Sequence, residues 1–310
     1  MTFEKLKSGI MLAFAAIRAP GAALYAIRER GLRHVVRRFA ESDPTAARAL
    51  ATDVCARAAP ATLENLRAYY REFRFSPAGP GHLLVELPTA EHFYVRIARG
   101  WHDAGTLHDT FVKQIYSDHP PLAGGCVLDI GANIGDTAVY FGARGARVVA
   151  YEPDPEMCAL ARRNVALNGV DAEIRNAGVG GESATLRLSA AAGGADSMST
   201  TLFPGSTPAN RLHVRTIDVD VIAFADVLAQ CGPLRLIKFD CEGCEYPALA
   251  SLPDESLAEV EHIIMEHHGH DDELASALRR LGFSVRAADG PYIYAQRRST
   301  LEGPVRGSPE

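Results

Sequence analysis

From Cys126 onward, short apolar runs alternate with stretches of helical spacing. CVLDI (126–130), RVVAY (147–151), AEIRNAG (172–178), LRLIKF (234–239) and VEHIIM (260–265) have the length and composition of buried strands. FSVRA and YIYAQ follow near the end. Between them, Asp136 to Ala143, Pro155 to Asn168, Ala223 to Gln230, Cys244 to Ser251 and Asp271 to Leu281 read as helices. Strands apolar on both sides, separated by helices, specify a mostly parallel sheet covered on both faces. The pattern predicts a doubly wound α/β fold with seven strands, whose ligands sit beyond the carboxyl ends of the strands.

The part before Cys126 has a different texture. Residues 1 to about 75 are rich in Ala, Leu and Arg and read as helical, with Asp43-Pro44 as a helix start and Pro60 as a break. Pro77 to Gly81 is a turn cluster. HLLVEL (82–87) and HFYVRI (92–97) suit a hairpin, and DTFVKQIY (109–116) has helical spacing. Pro120-Pro121 closes this region. The expected organisation is a helical N-terminal region with a short hairpin over 1–120, a main domain over 121–298 and a flexible tail over 299–310. Residues 185–218, broken by Gly193-Gly194, Pro204 and Pro208, predict a long surface loop.

Charge refines this picture. The 310 residues carry a formal net charge of -6 with 23% charged residues, which argues against nucleic-acid binding by the whole chain. Residues 1–75 hold 13 Lys and Arg against 7 Asp and Glu, a net +6, leaving -12 for the rest. The apolar run from Ile10 to Ile17 is too short to span a bilayer, and Arg18, Pro20 and Arg28 interrupt its continuation. The segment is read as a helix packed on the main domain, with peripheral contact to anionic lipid as the alternative. Six cysteines, at 55, 126, 158, 231, 241 and 244, lack the density of a secreted disulfide framework, and a cytoplasmic location is expected.

Candidate chemistry begins at VLDIGANIGDT (127–137), where a strand runs through a glycine turn straight into a helix. The turn offers backbone amides and a helix terminus to whatever sits over it. Glu152 ends the next strand, 17 residues after Gly135, where a carboxylate can accept both hydroxyls of a ribose. An adenosyl cofactor follows. A dinucleotide site wants G-x-G-x-x-G, but here the sixth position is Asp136, and an acid there would repel a pyrophosphate. Asp129 and Asp136 suit a ligand with an ammonium and a sulfonium, which favours S-adenosylmethionine over a nicotinamide cofactor.

Residues 126–287 resemble the FkbM-type methyltransferase family, through VLDIGANIGDTAVYF, VVAYEPDPE with its helix ending in RRNVALNG, RNAGVG and IKFDCEGCEYPAL, in this order and spacing. The resemblance implies a class I methyltransferase fold, Rossmann-like, with S-adenosylmethionine as donor. It also implies O-methylation of a hydroxyl on a sugar, glycan or polyketide-like natural product. Carried over by position, Asp129, Gly131, Asn133 and Gly135 would hold the methionine part of the donor, Glu152 its ribose, and Asn176 with Ala177 its adenine edge. The family pattern has an aliphatic residue at 241 and a small one at 244, so Cys241 and Cys244 are departures not needed for its chemistry.

A methyl transferase acting on an alcohol needs a proton acceptor at the strand ends beside the donor. Asp240 closes the fourth strand, Glu242 lies two residues on, and IIMEHHGH closes the fifth with Glu266 and His268. Asp240 and Glu242 are the leading candidates for base and acceptor orientation, with Glu266 and His268 next; helix capping is the competing reading for the first two. No metal is expected, although Asp240, Glu242 and Glu266 could hold a divalent ion. The C-x-x-C of KFDCEGCEY lacks further zinc ligands and is read as filler around the carboxylates. A nicotinamide oxidoreductase and a non-catalytic membrane-associated module remain the rival functions; the oligomeric state is left open.

Overall fold

The computed structural model describes residues 63–64, 66–97, 100–191, 213–267, 271–287 and 291–298. The basic segment 28–39, the apolar run 10–17, the tail from 299 and His268 lie outside the described residues. Two compact units divide the chain, one of residues 1–86 with 95–100 and one of 87–94 with 101–310. In the first, β1 (Arg74–Pro77) pairs antiparallel with β2 (His82–Glu86), where helix and then turn were expected before the hairpin. β3 (His92–Arg96) comes next along the chain and is shared between the two units. Burial alternates with period two along β2 and β3, as in strands with one wet face.

After β3 comes α1 (Gly100–Leu107), which continues into a π-helical turn, His108–Val112. The helix expected over 109–116 therefore starts earlier and ends earlier. The remaining elements are β4 (Cys126–Ile130), α2 (Asp136–Gly142), β5 (Arg147–Tyr151), α3 (Pro155–Asn168), β6 (Ala172–Arg175), β7 (Gly178–Gly180), β8 (Ala184–Ala191), β9 (His213–Ala223), α4 (Phe224–Ala229), β10 (Leu234–Phe239), α5 (Glu245–Ala250), β11 (Val260–Glu266), α6 (Asp271–Arg280), β12 (Phe283–Ala287) and β13 (Tyr292–Arg297).

Seven strands form one sheet in the order β12-β13-β11-β10-β4-β5-β6, parallel except for β13. This is the α/β architecture of a class I methyltransferase. From β4 the chain winds outward through β5 to β6, and later from β10 to β11 on the other side. The β4/β10 boundary is thus the switch point, and its strand ends are the place for a ligand. The central strands are buried nearly throughout, which their continuous apolar runs require. α3 has a complete set of stops: Asp154 caps Glu156 N at 2.8 Å, Pro155 opens the first turn, and Gly169 ends it at φ 63°.

The expected loop over 185–218 is corrected at both ends. β8 and β9 pair antiparallel from Ala184↔Val221 to Ala191↔His213, and β7 joins β9 to make a separate three-stranded sheet. The expected strand AEIRNAG is likewise divided, β6 staying in the main sheet and β7 leaving it. Residues 192–212 lie outside the described residues.

Candidate active site

The glycine turn between β4 and α2 is shaped by two contacts. Gly131, at φ 90°, faces the end of β10 so closely that a Cβ would stand 1.8 Å from Asp240 O. Gly135, at φ 83°, lies against Ala161 of α3, where a Cβ would stand 3.0 Å from its Cα. The amides of Gly131 and Ala132 both donate to Tyr151 O at 3.0 Å, and that of Gly135 to Ala132 O at 2.7 Å. The Asn133 amide donates to Glu152 Oε2 at 2.9 Å. These donors, expected to face a ligand, are spent on the chain itself. A pyrophosphate would find no such cradle here.

Glu152 is 7% exposed at the end of β5. Its Oε1 accepts from the Asp154 amide at 2.9 Å, so each oxygen takes one backbone donor and keeps acceptor capacity for a hydroxyl. Burial pushes its carboxyl up to about 8, against the pull of those two amides. Asn176 donates through Nδ2 to Glu152 O at 2.9 Å and Pro153 O at 3.0 Å, and the buried Ala177 follows it. The structure thus brings Asn133 of the glycine turn, Glu152 and Asn176 together at the ends of β5 and β6, with Ala177 next in the chain.

Asp129, expected beside the methionine part of the donor, lies buried in the sheet with partners of its own. Lys238 is its register partner across β4 and β10, and Lys238 Nζ lies 3.1 Å from Asp129 Oδ1. Thr137 Oγ1 donates to Oδ2 at 2.6 Å. Both side chains are buried, and the ammonium also donates to Gly131 O at 2.7 Å. Burial alone would lower the Lys238 pKa, but Asp129, Asp240 and Asp136 outweigh it and hold the group above its ordinary value. Asp129 therefore has a cation of its own, and that cation ties the pair to the glycine turn through Gly131 O. Asp136, also buried, accepts from Thr110 Oγ1 at 2.6 Å, and burial pushes its carboxyl up to about 7.

Asp240 continues from β10 into the turn. Tyr116 OH donates to its Oδ2 at 3.0 Å, and Lys238 Nζ stands 3.8 Å from the same oxygen. The Asp240 side chain keeps 30% exposure, so it is oriented from inside and open on one side. Glu242 is half-buried in the turn at φ 57°. Glu266 ends β11 beside Tyr292 of β13. The Tyr116 phenol is raised by burial first, then by Asp240, Tyr292, Asp136 and Glu266, which places it among these groups. Among the described residues, the group of three or more His, Cys, Asp and Glu side chains within metal-ligating reach of one another is Cys241, Cys244 and Glu245. Cys241 and Cys244 are joined in a disulfide, where fillers were expected.

Sequence reasoning missed Lys238, Thr137, Thr110 and Tyr116. Lys238 carried a signal, since a lysine deep in a largely apolar strand must be paired when buried. Tyr116 lies 124 residues from Asp240 and carried none.

Residues 129–285, half of the chain, match the family described as the methyltransferase FkbM domain. The AMB antimetabolite synthetase AmbE of Pseudomonas aeruginosa is 27% identical over 57% of this chain, a match spanning 10% of that synthetase's length. Methyltransferase 1 of Beauveria bassiana is 26% identical over 57% of this chain and 79% of its own length. Among solved structures, magnesium protoporphyrin IX methyltransferase from Synechocystis, with bound S-adenosylmethionine, covers 64% of this chain and 81% of its own at 15% identity and a TM-score of 0.37.

Proposed function

The chain belongs to the FkbM family of S-adenosylmethionine-dependent methyltransferases, and from the chemistry of its site we propose that it methylates a hydroxyl of a small natural-product or glycan acceptor. The observation that carries this reading is Asp240, a carboxylate oriented by Tyr116 and Lys238 and open on its remaining side. A hydroxyl is a poor acid, and it needs such a group to take its proton as the methyl is transferred. A positioned base contributes about 100- to 10,000-fold, and alignment can supply about 7 to 11 kcal/mol.

The donor supplies an electrophilic methyl group when bound. The residues that would hold it are Glu152 at the ribose hydroxyls, Asn176 and Ala177 at the adenine edge, and the turn Gly131 to Gly135 beside the methionine part. Their fit rests on the acceptor capacity of Glu152 and on the acidic surroundings: Asp129 already matches the cation Lys238, Asp240 and Glu266 stand beyond that pair, and a bound sulfonium would favour ionisation of Asp136 and Glu152. Such a field suits a sulfonium and opposes a pyrophosphate. Glu266 and Glu242 would orient the acceptor around Asp240. The similarity to a synthetase named for an antimetabolite supports a natural-product acceptor over a glycan. A second reading, contact with a membrane surface through the basic 28–39 segment, is compatible with this activity; no helix among the described residues is long and apolar enough to cross a membrane.

The test is to incubate pure protein with methyl-labelled donor and fractionated small-molecule extracts, then characterise the labelled product. A methyl ether stable to mild base is expected. A base-labile methyl ester or a methylated amine would overturn the proposal of a hydroxyl acceptor.

A further inference from the structure

Methyl transfer makes no use of the bond between Cys241 and Cys244. The chain passes from β10 to α5 through Asp240, Cys241, Glu242, Gly243 and Cys244, with Glu242 at φ 57° and Gly243 at φ 110°. The bridge joins the two ends of this left-handed bend across a Cα separation of 5.5 Å. A loop this short constrains the unfolded chain little, so the bridge is poorly placed as a folding staple. It is well placed to act on the site. Its first cysteine directly follows Asp240, and the Cα of Cys241 is 3.3 Å from where a Cβ on Gly131 would stand. The bridged turn is therefore packed against the glycine turn.

The two sulfurs differ in access, Cys241 being half-buried and Cys244 1% exposed, so an incoming thiol meets Cys241 first. Glu245, fully buried, accepts from the Gly243 amide through Oε2 at 3.1 Å, and the same oxygen lies 3.1 Å from Cys241 Sγ. In the bridged form that sulfur has no proton to give. Once reduced, its S–H can donate to Glu245 Oε2, which supplies the turn with a new bond in place of the lost one. The turn is thus provided for in both states. The other described cysteines, 126, 158 and 231, are free, and burial raises each thiol pKa, which disfavours their thiolates.

We propose that Cys241 and Cys244 are a redox-active pair that exchanges between disulfide and dithiol and thereby sets the fit of the donor turn. The co-reactant is a small thiol of the glutathione class. Its thiolate attacks Cys241 Sγ, the S–S bond breaks, and Cys244 leaves as a thiolate that takes up a proton. A second thiolate then displaces Cys241 from the mixed disulfide, so two small thiols are oxidised to their disulfide as the protein gains two electrons and two protons. The consequence for the donor rests on the donor site assigned above; the exchange itself does not.

Full-length protein is equilibrated in a series of reduced and oxidised glutathione mixtures, free thiols are trapped by alkylation, and the peptide carrying residues 241 and 244 is quantified by mass spectrometry. A single two-electron transition within the series is expected. Calorimetry with S-adenosylhomocysteine at the two extremes should show binding weaker on reduction by on the order of tenfold, the equivalent of freeing about one backbone residue. The double variant Cys241→Ser/Cys244→Ser should show the weaker affinity in every mixture. A bridge that survives the most reducing mixture, a bridge that never forms, or equal affinity in both states would overturn the proposal. So would retention of zinc by the reduced pair with Glu245 in place of exchange. If S-adenosylhomocysteine binds neither form, the donor-site assignment fails, while the alkylation series still decides whether the pair is redox-active.

Discussion

A lysine side chain as buried as Lys238 must recover its lost hydration from partners, and its partners are the residues that define the site. It pairs with Asp129, donates to Gly131 O and stands near Asp240. Lys238→Met would leave Asp129 buried with only Thr137 as donor, a change that costs about 3–5 kcal/mol where a buried pair is broken. Urea unfolding should show this loss, and adding Asp129→Asn to Lys238→Met should restore part of it, because both charges are then gone. Additive losses would mean that the two groups are not coupled. Asp240 has a different sensitivity. Asp240→Asn keeps the volume and removes the proton acceptor, so kcat should fall about 100- to 10,000-fold with S-adenosylhomocysteine affinity nearly unchanged. Tyr116→Phe, which removes only the group orienting it, should cost less. An Asp240→Asn enzyme with normal kcat would remove Asp240 from the role of base.

Elements show the same division between local signal and distant contact. In α3, Asn164 and Asn168 lie four residues apart and reach one edge of β3. Asn168 accepts from His92 N at 2.9 Å and donates to His92 O at 2.7 Å; Asn164 accepts from Tyr94 N at 2.7 Å and donates to Tyr94 O and Ile134 O. Two amide side chains thereby act as a substitute strand, and one of them also holds the residue before Gly135. Asn164→Ala would strand buried partners and should cost about 1–3 kcal/mol by denaturant unfolding, with no change if water replaces the amide fully. Both residues stand in RRNVALNG, which was legible as a helix but not as a clamp. The parallel strands were legible because burial on both faces writes an unbroken apolar run. β8 and β9 were not, since their alternation was outweighed by the Gly and Pro residues between them. Within the site, Gly131, Glu152 and Asp240 stood at strand ends and could be found by position. Thr110 and Tyr116 come from a segment whose spacing signals only a helix, and tertiary packing alone brings them in.

At the scale of the whole molecule, the site concentrates acids beyond what its one buried lysine can neutralise, and pH should act through this excess. Burial raises Glu152 to about 8 and Asp136 to about 7, both above their ordinary carboxylate values. Between those ordinary values and the raised ones, the folded protein holds protons that the unfolded chain has released. The stability these groups contribute is therefore present in acid and is lost as pH rises through about 7 and then about 8. The donor reverses the effect at Glu152. Ribose hydroxyls donate to the ionised carboxylate and favour it, so binding must release protons below about 8 and strengthen as pH rises toward that value. Melting curves with and without S-adenosylhomocysteine should show a larger ligand shift at alkaline than at mildly acid pH. Calorimetry near neutrality in buffers of different ionisation enthalpy should register release of up to about one proton per ligand bound, and Glu152→Gln should abolish most of it. A binding heat independent of buffer in the unsubstituted protein would mean that Glu152 is already ionised before the ligand arrives, or that the ribose lies elsewhere.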